Sequence, residues 1–504
     1  MSLPGEISPD IRRDDAVQTA EREVSRGRSS PIRGEGLNEE ESATDVGLGR
    51  KTPQMSRLGG GSPPASRMKS AMVPIGSEEA RPATQDTGCS GASDLLERVL
   101  SRPNLQAALK RVRQNKGSPG IDGMSVEELP DYLREHWVRL REQLLAGKYR
   151  PSAVRRHLIP KSGVGVRQLG IPTVLDRFIQ QALLQVLQPL IDPSFSRHSY
   201  GFRPGRSAHA AILAAQRLIQ DGRRWVVDVD LENFFDRVNH DVLMGKLARR
   251  IADHRVLRLI RRYLEAGVMA HGVVIERHEG TPQGGPLSPL LANVLLDEVD
   301  QELERRGHAF VRYADDCNVY VRSRRAGERV MRMLRRVYGE LRLRINESKS
   351  AVAFFRGRKL LGYTFWLAPG GTVKRAVAAK ALCVMKERVR KITRRSIGRS
   401  IEQVAEDLRG YLVGWREYFR LADTPKVFAL LDRWLRHRVR ALQLKHWRRG
   451  TVIYRELRAR GLSQDQAAKV ASHARSWWRN SSLGINRAFP IRYFDQLGIP
   501  KLAA

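Results

Sequence analysis

Two adjacent carboxylates, Asp315 and Asp316, stand between two runs that favour strands, Phe310-Val311-Arg312-Tyr313 and Cys317-Asn318-Val319-Tyr320-Val321. Cys317, Val319 and Val321 alternate with Asn318 and Tyr320, which is the period of a strand. The segment reads as a hairpin with Ala314, Asp315 and Asp316 at its tip. Like charges side by side repel, so a positive partner belongs there. A hard divalent cation such as Mg2+ suits carboxylate oxygens. Taken alone, a solvated Asp-Asp turn explains the pair more simply, because Asp favours turns. A second acidic segment reverses that balance. Trp225-Val226-Val227-Asp228-Val229-Asp230 reads as a strand whose period places Asp228 and Asp230 on one face. An acid inside an apolar strand is costly unless it is paired or metal-bound.

The elements around these acids follow from periodicity and turn chemistry. Helices are expected at 95–100, 104–114 and 126–146, with the turn-rich loop 115–123 between the last two. A basic strand, 154–161, and a partner, 166–172, form a hairpin that carries Lys161 and Arg167. Helices follow at 174–190 and 208–219, the second capped by Ser207. Leu231 to Asp236 make a turn into a further helix. The Gly/Pro loop 280–289 opens a helix over 290–305, and its glycines permit close backbone approach to a ligand. A helix at 328–341 and a short strand at 360–365 complete this half. From residue 376 the pattern turns helical and basic, with helices near 376–395, 401–420 and 425–449. Leu408, Tyr411, Leu412, Trp415, Tyr418 and Phe419 form an apolar stripe that reads as core. Arg433, Arg436, Arg438, Arg440, Lys445, Arg448 and Arg449 spread around the next helix, and so much uncompensated charge favours a phosphate-binding face over ordinary solvation. The tail 451–504 mixes short helices with Trp477, Trp478, Phe489, Tyr493 and Phe494.

The balance of 89 Lys and Arg against 54 Asp and Glu gives a formal charge of +35 over 504 residues. Such a surplus calls for a polyanion, nucleic acid first and an anionic membrane surface second. No apolar run is long enough to span a bilayer. The first residues lack the pattern of a signal or transit peptide. Cys89, Cys317 and Cys383 are odd in number and far apart, which fits a reducing, cytoplasmic setting and excludes a Cys-rich zinc module. Residues 1–92, rich in Gly, Ser, Pro and charge, are expected to be a disordered extension.

One acid on a strand and two on a hairpin tip can converge across a small antiparallel sheet, the arrangement that holds two metal ions about 4 Å apart. One ion would activate a primer 3′-hydroxyl and the other would bind a triphosphate and the departing pyrophosphate. Lys161 and Arg167 could clamp phosphates, and Phe235 could lie under the sugar of an incoming nucleotide.

Tyr313-Ala314-Asp315-Asp316 resembles the signature hairpin of reverse transcriptases. The stretch from Asp230 to Asp236 resembles their first metal motif, and Pro282-Gln283-Gly284 their template-and-nucleotide loop. Arg167-Gln168-Leu169-Gly170-Ile171-Pro172 and Ser199-Tyr200-Gly201-Phe202-Arg203-Pro204-Gly205 resemble the subset encoded by bacterial group II introns. Tyr411-Leu412-Val413-Gly414-Trp415-Arg416-Glu417-Tyr418-Phe419 resembles their maturase, or thumb, domain. Each motif is short, but all occur in order from about Asp94 onward.

The resemblance implies an α+β right-hand polymerase fold, with fingers and palm carrying an antiparallel sheet over 93–370. An all-helical thumb over 371–450 and a basic nucleic-acid-binding tail over 451–504 would follow. It implies Asp230, Asp315 and Asp316 as ligands of two Mg2+ ions, with the Leu231 carbonyl beside them. Lys161, Arg167 and Gln283 would bind nucleotide, Phe235 would gate the sugar, and Lys349 would donate a proton to pyrophosphate. Arg436, Arg440 and Arg448 would contact RNA. Implied partners are group II intron RNA, an RNA template, a DNA primer, deoxynucleoside triphosphates and target DNA, with no membrane. A His-Asn-His endonuclease module stapled by two Cys pairs is expected to be absent, since no Cys follows Cys383. The function implied is an RNA-directed DNA polymerase that assists splicing and mobility of its intron by target-primed reverse transcription. A domesticated reverse transcriptase in defence or repair and a splicing protein with an inactive palm are the alternatives. The intact acidic set argues against the inactive palm.

Overall fold

A computed structural model describes residues 94–160, 166–270, 273–275, 279–281, 284–394, 398–482 and 485–503. The expected disordered extension lies outside these residues, as do Lys161 and Gln283.

The chain enters through α1 (Leu95–Val99), α2 (Arg102–Asn115) and α3 (Leu129–Leu145), then crosses β1 (Val154–Pro160) and β2 (Val166–Ile171). Thr173 starts α4 (Val174–Ile191) by accepting from the Asp176 N–H. Phe178, Ile179, Ala182, Leu183 and Leu187 line its buried face at helical spacing. Ser207 caps α5 (Ala208–Gln220) in the same way. Next come β3 (Trp225–Val229), α6 (His240–Ala248), α7 (His254–Glu265), β4 (Val268–Ala270), β5 (Val273–Ile275) and α8 (Ser288–Arg305). Strands β6 (Ala309–Tyr313) and β7 (Asp316–Val321) precede α9 (Arg324–Glu340) and β8 (Ala351–Phe354). The strand expected at 360–365 is two strands, β9 (Lys359–Leu360) and β10 (Tyr363–Leu367), because Leu361 and Gly362 take positive φ of 50° and 81° and turn the chain. β11 (Val373–Val377) closes that small sheet.

One four-stranded sheet runs in the order β2-β1-β4-β5. β1 pairs antiparallel with β2 but parallel with β4, so this sheet is mixed rather than wholly antiparallel. A second four-stranded sheet, β6-β7-β3-β8, is antiparallel throughout. Alternation along β3 sends Val227 and Val229 into one core, shared with α4, α8 and α9. Val226 faces a second core, shared with α5 and the C-terminal helices. Gly327 lets α9 seat on the sheet, since a Cβ there would stand 2.5 Å from Val352 Cγ1.

The C-terminal helices are α10 (Ala379–Ile392), α11 (Ile401–Phe419), α12 (Pro425–Trp447), α13 (Gly450–Ala459), α14 (Gln464–Ser472), α15 (Trp477–Asn480) and α16 (Ile491–Gln496). Leu408, Leu412, Trp415 and Phe419 of α11 are buried, as the stripe predicts. Burying each such side chain contributes about 1.5–3 kcal/mol. Ile453, Leu457, Phe489 and Phe494 join the same core, so the tail packs onto α12. Asp432 of α12 fastens it further by accepting from the N–H groups of Leu502 (2.9 Å) and Ala503 (3.0 Å). Among the described residues no helix is long and apolar enough to cross a membrane.

Candidate active site

The β3–β7 register sets Asp228 opposite Asn318 and Val229 opposite Cys317. Carried one residue further, it places Asp230 across from Asp316. Facing residues of antiparallel strands stand about 4.5–5.5 Å apart, so the strand acid and the hairpin acids meet at the end of the antiparallel sheet.

Just past β3 the chain bridges Leu231 to Ile345. The flanking bonds, Glu232 N–H to Arg344 O (2.9 Å) and Asn346 N–H to Asp230 O (2.8 Å), make this a non-hydrogen-bonded pair. The Leu231 carbonyl therefore points away from Ile345. The Asp230 N–H donates to Ser350 Oγ at 3.0 Å, and that hydroxyl donates to the Asp230 carbonyl at 3.2 Å. Asp230 is thus held by its backbone. Its Oδ2 is enclosed and lacks a hydrogen bond, while Lys349 Nζ stands 3.2 Å away as an ion partner. Lys349 itself is mostly exposed.

The hairpin tip is held from behind. Ala314 takes a left-handed φ of 57°, a conformation that costs an L-residue energy. Arg312, fully buried on β6, spends its guanidinium on this turn. It donates to the Ala314 carbonyl and to Asn293 Oδ1, both at 2.9 Å, and grips Asp300 through Nε at 2.8 Å and Nη2 at 2.6 Å. Asn293 in turn donates to the Gly201 carbonyl at 2.9 Å. Gly201 lies so close to the tip that a Cβ would stand 2.2 Å from the Ala314 nitrogen.

Asp316 is accessible to solvent at the edge of the site. Loss of water on its packed side, followed by the charges of Asp315, Asp230 and Asp228, pushes its carboxyl up to about 7. Burial also raises Asp228, against the pull of Arg358, whose guanidinium is 3.4 Å away. With its amide nitrogen oriented toward Asp228, Asn318 donates to Oδ1 at 2.9 Å. Among the described residues no group of His, Cys, Asp and Glu forms a ready metal cage. The donor set nevertheless suits hard cations. Burial, with the repulsion of its acidic neighbours, raises the Asp316 carboxyl, and an enclosed Asp230 oxygen has an ammonium beside it.

Phe234 is buried at 3 % exposure, whereas its neighbour Phe235 is half-buried. Of the two, Phe235 is therefore the more open ring, packed on the edge of the core. Its carbonyl accepts from the Thr281 N–H at 2.7 Å. Gly284 approaches the β1–β2 hairpin, since a Cβ there would stand 2.6 Å from the Gly170 carbonyl. The Gly/Pro loop therefore spans from Phe235 to β2, although Gln283 lies outside the described residues. Arg167 sits on β2 opposite Ile159.

Arg436 and Arg440 are half-buried on α12, remote in sequence from the acids, and Arg448 is exposed at its end with φ of 54°. Sequence reasoning missed the Arg312–Asp300–Asn293 support. A cation inside the apolar run Phe310-Val311 was its one available signal.

Residues 159–365 match the family described as reverse transcriptase (RNA-dependent DNA polymerase). Residues 383–461 match the group II intron maturase-specific domain. Protein YkfC of Escherichia coli is 34% identical over 299 residues, 51% of this chain and 78% of that protein. The group II intron-encoded protein LtrA of Lactococcus lactis subsp. cremoris is 36% identical over 208 residues, 41% of this chain and 34% of that protein. The matched part thus spans about a third of LtrA. Among solved structures, a partial Cas6-RT-Cas1--Cas2 complex overlaps 49% of this chain and 42% of its own at 26% identity and a TM-score of 0.33.

Proposed function

Because this chain belongs to the reverse transcriptase/maturase family of group II introns, we propose that it copies RNA into DNA at the Asp230–Asp315–Asp316 cluster and grips intron RNA through its helical C-terminal half. The observation that carries the polymerase reading is the register that sets Asp230 across from Asp316, with Asp315 beside it. Residues 93–370 serve as fingers and palm, 371–450 as thumb, and 451–504 as a basic tail joined to it.

In this reading Asp230, Asp315, Asp316 and the Leu231 carbonyl hold two Mg2+ ions. When bound, such ions neutralise phosphate charge and lower the pKa of a primer 3′-hydroxyl. The chain's own residues do the rest. The backbone bonds from Asn346 and Ser350 fix Asp230 before substrate arrives, and the Arg312 grip on Ala314 does the same for the hairpin acids. This is the preorganisation that electrostatic catalysis requires. Lys161, Arg167 and Gln283 bind the triphosphate. Phe235 lies under the sugar and excludes a 2′-hydroxyl. Lys349 leaves Asp230 when substrate enters and protonates the departing pyrophosphate. Arg436, Arg440 and Arg448 contact RNA phosphates. The substrates are an RNA template, a DNA primer, deoxynucleoside triphosphates and, in intron mobility, target DNA.

The test is primer extension on a defined RNA template with Mg2+. Asp315→Ala should lower the rate by several orders of magnitude, since metal stabilisation supplies several kcal/mol of the barrier. Near-normal extension by the folded variant would remove the assignment.

A further inference from the structure

We propose that a cavity between α12 and the C-terminal segment takes up one unstacked nucleotide of a folded nucleic acid. Its phosphate would lie on Arg433, Arg436 and Arg440, and its base against the opposite wall. The cavity has a volume of about 460 Å³, within the range of about 300–1,000 Å³ typical of small-molecule pockets and more than a phosphate alone needs. This inference rests on the reading of the helical half as an RNA-binding surface, and it adds a defined receptor to that surface.

The two walls differ in chemistry. On one side Arg433, Arg436 and Arg440 follow one another along a single face of α12, three and four residues apart. Nε of Arg440 is enclosed and has no hydrogen-bond partner. Its guanidinium also lies 5.5 Å over the Phe494 ring, which keeps it in place. The carboxylate next along the helix, Asp432, gives its two oxygens to the backbone N–H groups of Leu502 and Ala503. It therefore has little left to offer these cations. A phosphate accepts from guanidinium groups in a matching fork. The opposite wall is made by Ser482, Asn486, Pro490 and Ile491. Its apolar members suit the face of a base, and the Asn486 amide can both donate to and accept from a base edge. A continuous duplex hides its base faces by stacking. The occupant is therefore a nucleotide that has left the stack, as at a bulge, a loop or a single-stranded end.

The experiment uses the full chain and three labelled probes. These are an RNA hairpin with a single-nucleotide bulge, the same hairpin fully paired, and single-stranded DNA of the bulged sequence. Dissociation constants are measured at one salt concentration. The bulged hairpin should bind about tenfold more tightly than the paired one, the scale of one stacked and hydrogen-bonded base. Asn486→Trp, which fills the cavity, should bring that ratio to about one. Arg440→Gln should lower the ratio as well, which guards against misfolding of the Trp variant; circular dichroism checks both proteins. DNA that binds as well as bulged RNA would support the cavity and identify either strand as its source. Equal binding of bulged and paired RNA by the natural protein overturns the pocket and leaves general RNA binding standing. So does a preference that survives in folded Asn486→Trp. Failure to bind any RNA overturns the pocket and the RNA-binding reading together.

Discussion

Phe235 and Phe234 are adjacent rings with opposite surroundings. Only Phe235 is open enough to touch a nucleotide, while Phe234 belongs to the core. Phe235→Val should therefore admit ribonucleoside triphosphates while keeping DNA synthesis, measured as the ratio of ribo- to deoxynucleotide incorporation. An unchanged ratio would assign Phe235 to packing. Asp316 supplies a pH signature. The folded carboxyl holds its proton up to about pH 7, owing first to desolvation and then to Asp315, Asp230 and Asp228. An unfolded Asp releases it near pH 3.9. The native state therefore binds more protons between these values, and stability falls as pH rises across that window. Metal-free protein should lose melting temperature from about pH 4 to about pH 7 more steeply than Asp316→Asn, and added Mg2+ should restore it most at the upper end. Parallel melting curves for the two proteins would show that the carboxyl titrates normally.

At the scale of elements, the β6–β7 hairpin is only as well placed as the buried group behind it. Arg312→Ala strands Asp300 as an unpaired buried charge, a loss of about 3–5 kcal/mol. The paired replacement of Arg312 by Met and Asp300 by Leu should restore much of that stability but not the bond to the Ala314 carbonyl. DNA synthesis should then stay at least about tenfold below the natural protein, in a protein that melts normally. Full synthesis by that double variant would show that the hairpin needs no such support. The same hairpin marks how far sequence reached. The acids and their strands were legible because strand period and turn chemistry are local signals. Helix α11 was legible to within a residue, because Ser400 and Gln403 form a capping box at its start. Helix α9 begins four residues before the expected start, since Ser323 caps it and the basic Arg324 and Arg325 hid the first turn. The Arg312–Asp300 pair was not legible, because only the fold brings strand and helix together. Neither was the second role of the C-terminal segment as a wall against α12.

Across the whole molecule, the proposed reading gives the acids and the basic helical face different tasks. In that reading polymerisation uses Asp230, Asp315 and Asp316, whereas holding a folded intron needs shape and phosphate contacts. The double variant Asp315→Ala, Asp316→Ala should lose DNA synthesis and still promote splicing at low Mg2+. Replacing Arg436, Arg440 and Arg448 together by Glu should abolish splicing assistance through lost contacts and new repulsion. Excised intron RNA is the readout, with circular dichroism as the folding check. The reverse pattern would mean that the two surfaces are assigned the wrong way round. The bond between Asp432 and the backbone of Leu502 adds a matter of timing. During synthesis Asp432 leaves the ribosome 70 residues ahead of Leu502. At about 5–20 residues per second, the carboxylate waits roughly 4–14 s for the N–H groups that satisfy it. Through that interval α12 is already present with its arginines, but it lacks the wall that completes the surface and carries an acid that repels phosphate. The order of synthesis thus sets the arginines of α12 in place before the segment that packs on them.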